Sequence, residues 1–124
     1  METPKKLLII QTSGIGAPER LPPAFFMAAT GAAMNMDATM VFTADGATVL
    51  EKQAAAQVRI KEKGAAVQTF LDQAISAGVK LMVCHQSLDI HDLEPDSLID
   101  EVEDIIGAAT LLDLTLEADV VLTF

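Results

Sequence analysis

The chain has 124 residues, 51% of them apolar, and a formal net charge of −10. This length and apolar content suit one domain with a hydrophobic core, which excludes an intrinsically disordered protein. The charge makes nucleic acid an unfavourable partner, and no apolar run reaches the roughly 18–20 residues that span a bilayer.

The negative charge is concentrated in the last third of the chain. All eight lysines and arginines lie within residues 1–80, where seven acidic residues nearly balance them. Residues 81–124 contain the other eleven acids and no lysine or arginine. Two interpretations remain open: a solubilising surface, or a surface that attracts a basic protein partner.

The first predicted element is a strand over residues 6–11, KLLIIQ, because a short continuous apolar run is typical of a strand buried on both faces. The run is too short for the core of a signal peptide. Cys84 is the one cysteine of the chain, so an internal disulfide is impossible. Both observations agree with a cytoplasmic protein.

Helical and strand-like segments then alternate along the chain. A buried helix is predicted over residues 24–36, and a strand-like run over residues 37–46 ends in the turn residues Asp45 and Gly46. Residues 47–64 fit either a helix or a mobile loop. The remaining predictions are a helix at 65–78, a strand at 79–84, a helix start at 94–97 that continues to 101, a strand at 102–106, a helix at 107–118 and a strand at 119–124.

This alternation predicts a single three-layer α/β/α domain over residues 1–124, with a mainly parallel sheet of about five strands. In such folds ligands bind beyond the carboxyl ends of the strands. Three segments follow predicted strand ends and are expected on one rim, with Phe124 nearby: residues 12–16, residues 43–46 and Cys84. The candidate ligand contacts on this rim are Ser13, Gly14, Asp45, Gly46 and Ser87.

Gly14, Ile15 and Gly16 match the first part of a dinucleotide-binding motif. Glu19 stands where the motif has its third glycine, and its carboxylate would oppose a phosphate. The two glycines are therefore interpreted as shaping a turn, and no cofactor is predicted.

The stretch KLMVCHQSLDIHDL, residues 80–93, holds Cys84 together with both histidines, His85 and His91. A cysteine at a strand end is a nucleophile if it forms the thiolate. His85, His91 or the start of a following helix would favour the thiolate or relay a proton, whereas the nearby acids oppose it. From spacing alone, a reactive thiol and a buried inert cysteine remain equally open. A metal site ranks lower, because adjacent side chains on an extended backbone point to opposite faces.

Four segments together resemble the DsrE/DsrF/TusD-like (DsrEFH-like) sulfur relay family over nearly the whole chain. They are KLLIIQTSG, MVFTADGATVL, AGVKLMVCHQSLDIHDL and LIDEVEDIIGAATLLDLTLEADVVLTF. Their order and spacing carry the resemblance, since no single segment is specific. The resemblance implies a small α/β domain that assembles as a homo- or hetero-oligomer, commonly a trimer or hexamer.

The resemblance also implies a function. Several family members carry sulfane sulfur as a cysteine persulfide in sulfur oxidation or tRNA thiolation, and their sulfur-carrying cysteine corresponds to Cys84. The protein is therefore expected to be a sulfur carrier or sulfurtransferase that receives sulfur from a rhodanese-like donor and passes it to a TusA-like acceptor. His85 and His91 are the expected tuning or proton-relay residues.

Departures from the family pattern keep alternatives open. His85 stands where some relatives have a second cysteine, which argues against a two-cysteine mechanism. Many relatives have no demonstrated activity, so the main alternative is a non-enzymatic oligomeric module that binds a small ligand or a protein at the rim. A metal-binding protein that uses Cys84 and one histidine ranks third.

Overall fold

The structure, a computed structural model, describes residues 3–124. Met1 and Glu2 of the predicted domain, 1–124, lie outside the described residues. The strands are β1 (Lys6–Gln11), β2 (Asp37–Phe42), β3 (Lys80–Cys84), β4 (Val102–Ile106) and β5 (Val120–Thr123). They form one sheet in the order β4-β3-β2-β1-β5, with every neighbouring pair parallel. The predicted parallel five-stranded sheet is confirmed.

Five α-helices accompany the sheet in the described part of the chain. They are α1 (Leu21–Ala33), α2 (Ala54–Gln57), α3 (Val67–Ser76), α4 (His85–Ile90) and α5 (Ala108–Glu117). Three segments are 3₁₀ turns: Pro18–Arg20, Ala44–Leu50 and Pro95–Ser97. Within residues 3–124, no helix combines the length and the apolar character needed to cross a membrane.

The path of the chain places α5 on the opposite face of the sheet from α1 and α3. Strands β1 to β4 are added in one direction, whereas β5 returns to the far edge beside β1. Because parallel crossovers are right-handed, connections made in opposite directions lie on opposite faces of the sheet. This return completes the predicted three layers.

Side chains of the strands alternate between two hydrophobic clusters, one on each face of the sheet. Ile9 and Val83 belong to the larger cluster, under α1 and α3. Leu8 and Cys84 belong to the smaller cluster, which α5 covers through Leu111 and its neighbours. Because successive strand residues point to opposite faces, burial of Val83 in the larger cluster directs Cys84 towards α5.

The larger cluster contains most of the apolar side chains that are completely buried. Phe25 of α1 and Phe42 of β2 meet there, with ring centroids 6.2 Å apart. Burying one such side chain stabilises a fold by about 1.5–3 kcal/mol. The larger cluster therefore contributes most of the hydrophobic stabilisation of the fold.

The predicted helix over residues 94–101 is wrong. Only Pro95–Ser97 forms a 3₁₀ turn, and Leu98 is extended, with φ −85° and ψ 152°. Leu98 pairs with Glu51 in an isolated antiparallel bridge, and its side chain is buried in the larger cluster. Tertiary pairing overrides the local helix-start signal.

The connection over residues 47–64 is neither one helix nor an unpacked loop. It contains the end of the 3₁₀ segment Ala44–Leu50 and the four residues of α2. Ala47, Val49 and Leu50 are completely buried, so the segment is part of the core.

Candidate functional site

Cys84 is the last residue of β3 and the residue from which α4 begins. Its backbone is extended and pairs with Ile106 of the edge strand β4. The residue is 9% exposed, so the chain covers most of the thiol. The sequence analysis did not predict α4, because this six-residue helix buries only Ser87 and Leu88 and shows no apolar stripe.

A cavity of about 600 Å³ opens beside Cys84. We call it the Cys84 cavity; it lies between the ends of β3 and β4 and the beginnings of α4 and α5. Most of its wall is apolar and comes from Ala44, Ile90, Ile105, Ile106, Ala108 and Leu111. Its volume is within the usual range for ligand sites, so a partner side chain or small molecule fits beside the sulfur.

His85 lines the Cys84 cavity and lies mostly in solvent, with its side chain 68% exposed. Its Nδ1 is 3.8 Å from Oδ2 of Asp89, one turn further along α4. An exposed pair of this kind contributes at most about 1 kcal/mol, and only while the imidazole is protonated. The ring is therefore free to turn towards a group that enters the cavity.

Ser87 holds α4 against the loop that follows β2. The backbone N–H of Ala44 donates a 2.7 Å hydrogen bond to Oγ of Ser87, which lies 3.4 Å from Oγ1 of Thr43. Ala44 has a φ of +52°, a conformation that few non-glycine residues adopt. Ser87 is buried and lines the Cys84 cavity, so its hydroxyl supports the wall through bonds within the protein.

A second cavity, of about 800 Å³, lies where β1 and β2 end. We call it the β1–β2 cavity. Ser13, Gly14 and Asp45 of the predicted rim line it together with His91. Its walls include neither Cys84 nor His85, and His91 does not line the Cys84 cavity. The two histidines predicted to serve one thiol therefore lie at different cavities.

His91 has a polar atom without a hydrogen-bond partner. Its Nε2 lies 3.3 Å from Oδ1 of Asp45, and the pair is ionic only when the imidazole is protonated. The contact lacks hydrogen-bond geometry, and the buried Nε2 has no such partner within residues 3–124. Buried nitrogens of this kind usually have one, so Nε2 is an unsatisfied hydrogen-bonding atom on a residue that lines the β1–β2 cavity.

Two glycines allow the loops after β1 and β2 to touch backbone to backbone. A Cβ on Gly14 would collide with the carbonyl oxygen of Asp45, and a Cβ on Gly46 with the carbonyl oxygen of Gln11. The N–H of Ala17 donates to the carbonyl of Gly14 at 3.0 Å, so the two glycines of the motif lie in a turn. Gly46 is buried and packs closely against the backbone of Gln11, so it shapes the rim without being exposed to a ligand.

The predicted meeting of strand ends is confirmed for β1, β2 and β5. The N–H of Thr43 donates to the carbonyl of Gln11 at 3.0 Å. Oγ1 of Thr12 donates to the carbonyl of Phe124 at 2.7 Å, which joins the end of β5 to the same rim.

A metal site in a protein needs several ligating side chains close together. Within residues 3–124, no group of three or more His, Cys, Asp and Glu side chains is arranged to hold a metal ion. Cys84 and His91, two members of the metal set considered from sequence, line different cavities.

Comparison with known protein families identifies the chain. The model of the DsrE/DsrF-like family matches residues 5–124. The chain belongs to the DsrE/DsrF-like family. The resemblance noted in the sequence is thus confirmed over almost the full length. A search of curated proteins finds no match.

Two solved structures have the fold of this DsrE/DsrF-like chain. The crystal structure of the ychN protein from E. coli aligns with a TM-score of 0.73 at 26% identity, over 97% of this chain and 99% of that one. MTH1491, a protein of unknown function from Methanobacterium thermoautotrophicum, aligns with a TM-score of 0.62 at 12% identity, over 98% of this chain and 100% of that one. The second likeness concerns the fold alone.

Sequence analysis missed the apolar wall of the Cys84 cavity. Ile105 and Leu111 lie in correctly predicted elements, but no pattern in the sequence places them beside Cys84. One signal was available, because Gly107 follows a strand in the same way as the other rim segments do. The rest depends on how α5 crosses the sheet.

Proposed function

We propose that this DsrE/DsrF-like protein is a sulfur carrier with sulfurtransferase activity that holds sulfane sulfur as a persulfide on Cys84. It passes the sulfur to a partner thiol in a relay of sulfur oxidation or thiolation. The observation that carries the proposal is the place of the only cysteine, at a strand end on the wall of a cavity of about 600 Å³. The strand holds Sγ in position, and the cavity leaves space for a second sulfur atom.

The proposed transfer needs one cysteine on this chain. The Cys84 thiolate attacks the outer sulfur of a donor persulfide, a new S–S bond forms at Cys84, and the donor leaves as a thiolate. An acceptor thiolate then attacks the outer sulfur of the Cys84 persulfide, and the Cys84 thiolate leaves. Each step exchanges one S–S bond for another, so no external oxidant is consumed.

The proposed roles of the two histidines differ in their structural support. His85 lines the Cys84 cavity and is placed to relay a proton to or from an entering group. His91 does not line the Cys84 cavity, and its link to Cys84 is indirect. Its backbone N–H donates to the carbonyl of Ser87 in α4, the helix that begins at Cys84. We therefore expect His85→Ala to slow sulfur transfer several-fold, and His91→Ala to change it less.

Intact-protein mass spectrometry tests the proposal. After incubation with polysulfide, or with thiosulfate and a rhodanese, the protein should gain about one sulfur atom, which a reductant removes. Cys84→Ser should show no gain, and the His91→Ala variant serves as a loading control. An unmodified mass for the parent protein, whose thiol alkylates normally, would refute the carrier function.

The alternative function is a non-enzymatic module that binds a small ligand or a protein. The unpartnered Nε2 of His91 beside the β1–β2 cavity favours a polar ligand there. A ligand-observed NMR screen of small polar metabolites tests it. Binding that survives Cys84→Ser and disappears in His91→Ala would support this function, and no binding to the parent protein would oppose it.

The proposed working form is a homo-oligomer, a trimer or a hexamer, in the cytoplasm. The exposed apolar residues of α5 and β5 support self-association, because Leu112, Leu116, Val120 and Val121 are 63%, 83%, 40% and 41% exposed. The proposed donor is rhodanese-like and the acceptor TusA-like, as the family resemblance implies. A reducing cytoplasm would keep the Cys84 thiol available.

A further inference from the structure

Two grooves adjoin the Cys84 cavity and continue its surface. The first, of about 240 Å³, shares His85 with the Cys84 cavity. The second, of about 530 Å³, shares Ile105 with the Cys84 cavity. Pro95 lines both grooves, so the three depressions are neighbours that share wall residues. We call the two grooves together the acidic grooves.

The acidic grooves carry seven exposed carboxylates and one cation. The first groove is lined by Asp89, Asp92 and Glu94, and the second by Asp96, Asp100, Glu103 and Asp104. Lys52 is the one lysine or arginine on their walls in the part of the chain that the structure describes. Among the ion pairs within residues 3–124, only the Asp89–His85 pair involves these acids. Their charge is therefore directed at solvent beside the cavity.

The Cys84 cavity itself has the opposite character. Among the described residues, its wall contains no acid and no lysine or arginine, and Ile90 at its edge is 70% exposed. A partner that covers this large apolar side chain removes it from water, which makes binding beside the nucleophile more favourable. The cavity does not attract small anions such as thiosulfate. Its wall offers them no lysine or arginine in the described chain, and the carboxylates of the neighbouring grooves repel them.

We propose that the Cys84 cavity and the acidic grooves dock a partner protein through a short segment in which apolar and basic side chains flank the sulfur-bearing cysteine. The apolar side chains enter the Cys84 cavity beside Ile90 and Leu111, and the basic side chains lie in the acidic grooves. The inference rests on the proposed sulfur-carrier function and names the chemistry of its partner.

Thiol–disulfide exchange with three synthetic peptides tests the docking chemistry. Each peptide carries one cysteine as a mixed disulfide with thionitrobenzoate. The first has leucines and arginines around the cysteine, the second replaces the arginines with glutamates, and the third replaces the leucines with serines. The Cys84 thiolate attacks the peptide sulfur, a Cys84–peptide disulfide forms, and thionitrobenzoate leaves as a coloured thiolate.

Rates are divided by those of the same peptides with 2-mercaptoethanol, which removes differences in intrinsic reactivity. At low salt the arginine–leucine peptide should react about tenfold faster than the glutamate peptide, and the ratio should approach one near 1 M salt. The serine peptide should be slower than the arginine–leucine peptide at every salt concentration. Equal rates for the three peptides, or a faster glutamate peptide, would overturn the proposal.

Matched charge variants locate the surface. Glu103→Gln with Asp104→Asn removes two charges from the second groove and should reduce the preference for the basic peptide. Glu62→Gln with Asp72→Asn removes the same two residue types outside the Cys84 cavity and the acidic grooves, and should leave the preference intact. Equal losses in both double variants, with unchanged circular dichroism and melting, would overturn the assignment of the grooves.

Failure of the docking inference is distinguishable from failure of the sulfur-carrier function. Persulfide loading by polysulfide without a peptide preference would leave the carrier standing and overturn the docking surface. A peptide preference without persulfide loading would keep the docking surface and refute the carrier. If no peptide reacts with the native protein while the unfolded protein reacts, the cavity is closed to partners and the inference fails.

Discussion

Gly14 lies at the point where the loop after β1 touches the loop after β2. An added Cβ would overlap the carbonyl oxygen of Asp45 and Oγ1 of Thr48. Because backbone rather than a flexible side chain is in the way, Gly14→Ala must push the two loops apart. We expect the substitution to lower the free energy of unfolding by about 1–3 kcal/mol, measured by urea denaturation.

Gly16 offers the matched control, two residues along the same loop. A Cβ at Gly16 meets nothing within 4 Å, so Gly16→Ala should be neutral or slightly stabilising. If both substitutions cost the same free energy, the close approach of the loops is not the reason for Gly14.

Sequence reasoning at the residue scale succeeded where a local pattern was decisive. The apolar run over residues 79–84 placed Cys84 at a strand end, and Glu19 at the third-glycine position excluded a dinucleotide-binding motif at Gly14 and Gly16. The same reasoning assigned His85 and His91 to one thiol, because they are close in sequence. The structure separates them, since α4 carries His91 away from Cys84 to the side of Asp45.

Helix α5 has exposed apolar side chains that the single chain does not bury. The structure buries none of its residues, and Leu116 is 83% exposed. Its inner side meets the sheet through Leu111 and Leu114, so the outer leucines require another cover. In the proposed homo-oligomer, a second copy of the chain supplies it.

Leu116→Glu should dissociate the proposed oligomer, because it introduces a charge into an apolar interface and buries nothing in the single chain. Light scattering at micromolar concentration measures the mass. Met34→Glu is the matched control, because Met34 is also an exposed apolar residue, at the C-cap of α1 across the sheet. A monomeric parent protein, or an unchanged mass for Leu116→Glu, would contradict the role of α5.

Elements with a continuous apolar run or helical spacing were predicted, including the short strand β4, whereas the short helical segments were not. A continuous apolar run or apolar residues at helical spacing mark the well-predicted elements, because such patterns bury one or both faces of an element. These elements include β1, β2, β3, α3 and α5. α4 and the 3₁₀ segment Ala44–Leu50 have no such period. They form because surrounding elements bury individual side chains, such as Leu88 and Val49.

The protein has a large negative net charge, and we expect its free energy of unfolding to depend on salt concentration. Between about 0.01 M and 0.15 M salt the Debye length falls from about 30 Å to about 8 Å. Repulsion among the eleven acids of residues 81–124 is then screened, whereas within residues 3–124 only one of these acids, Glu117, pairs with a lysine and would lose attraction. We expect sodium chloride to raise the free energy of unfolding by a few tenths to about 1 kcal/mol.

Urea denaturation at fixed protein concentration measures this effect, because urea carries no charge. The Glu103→Gln and Asp104→Asn double variant should gain less from salt than the parent protein. A midpoint that is constant or falls with added sodium chloride would show that the acids of this half are too far apart to repel one another.

The sequence by itself determined the fold class, the family, the strand that ends at Cys84 and the uneven charge. These follow from periodicity and composition, which are properties of neighbours along the chain. Tertiary structure alone decided that α5 lies over Cys84, that His91 faces another cavity and that acidic grooves adjoin an apolar one. These relations join residues from different elements, and the position of α5 depends on the return of the chain from β4 to β5 across the sheet.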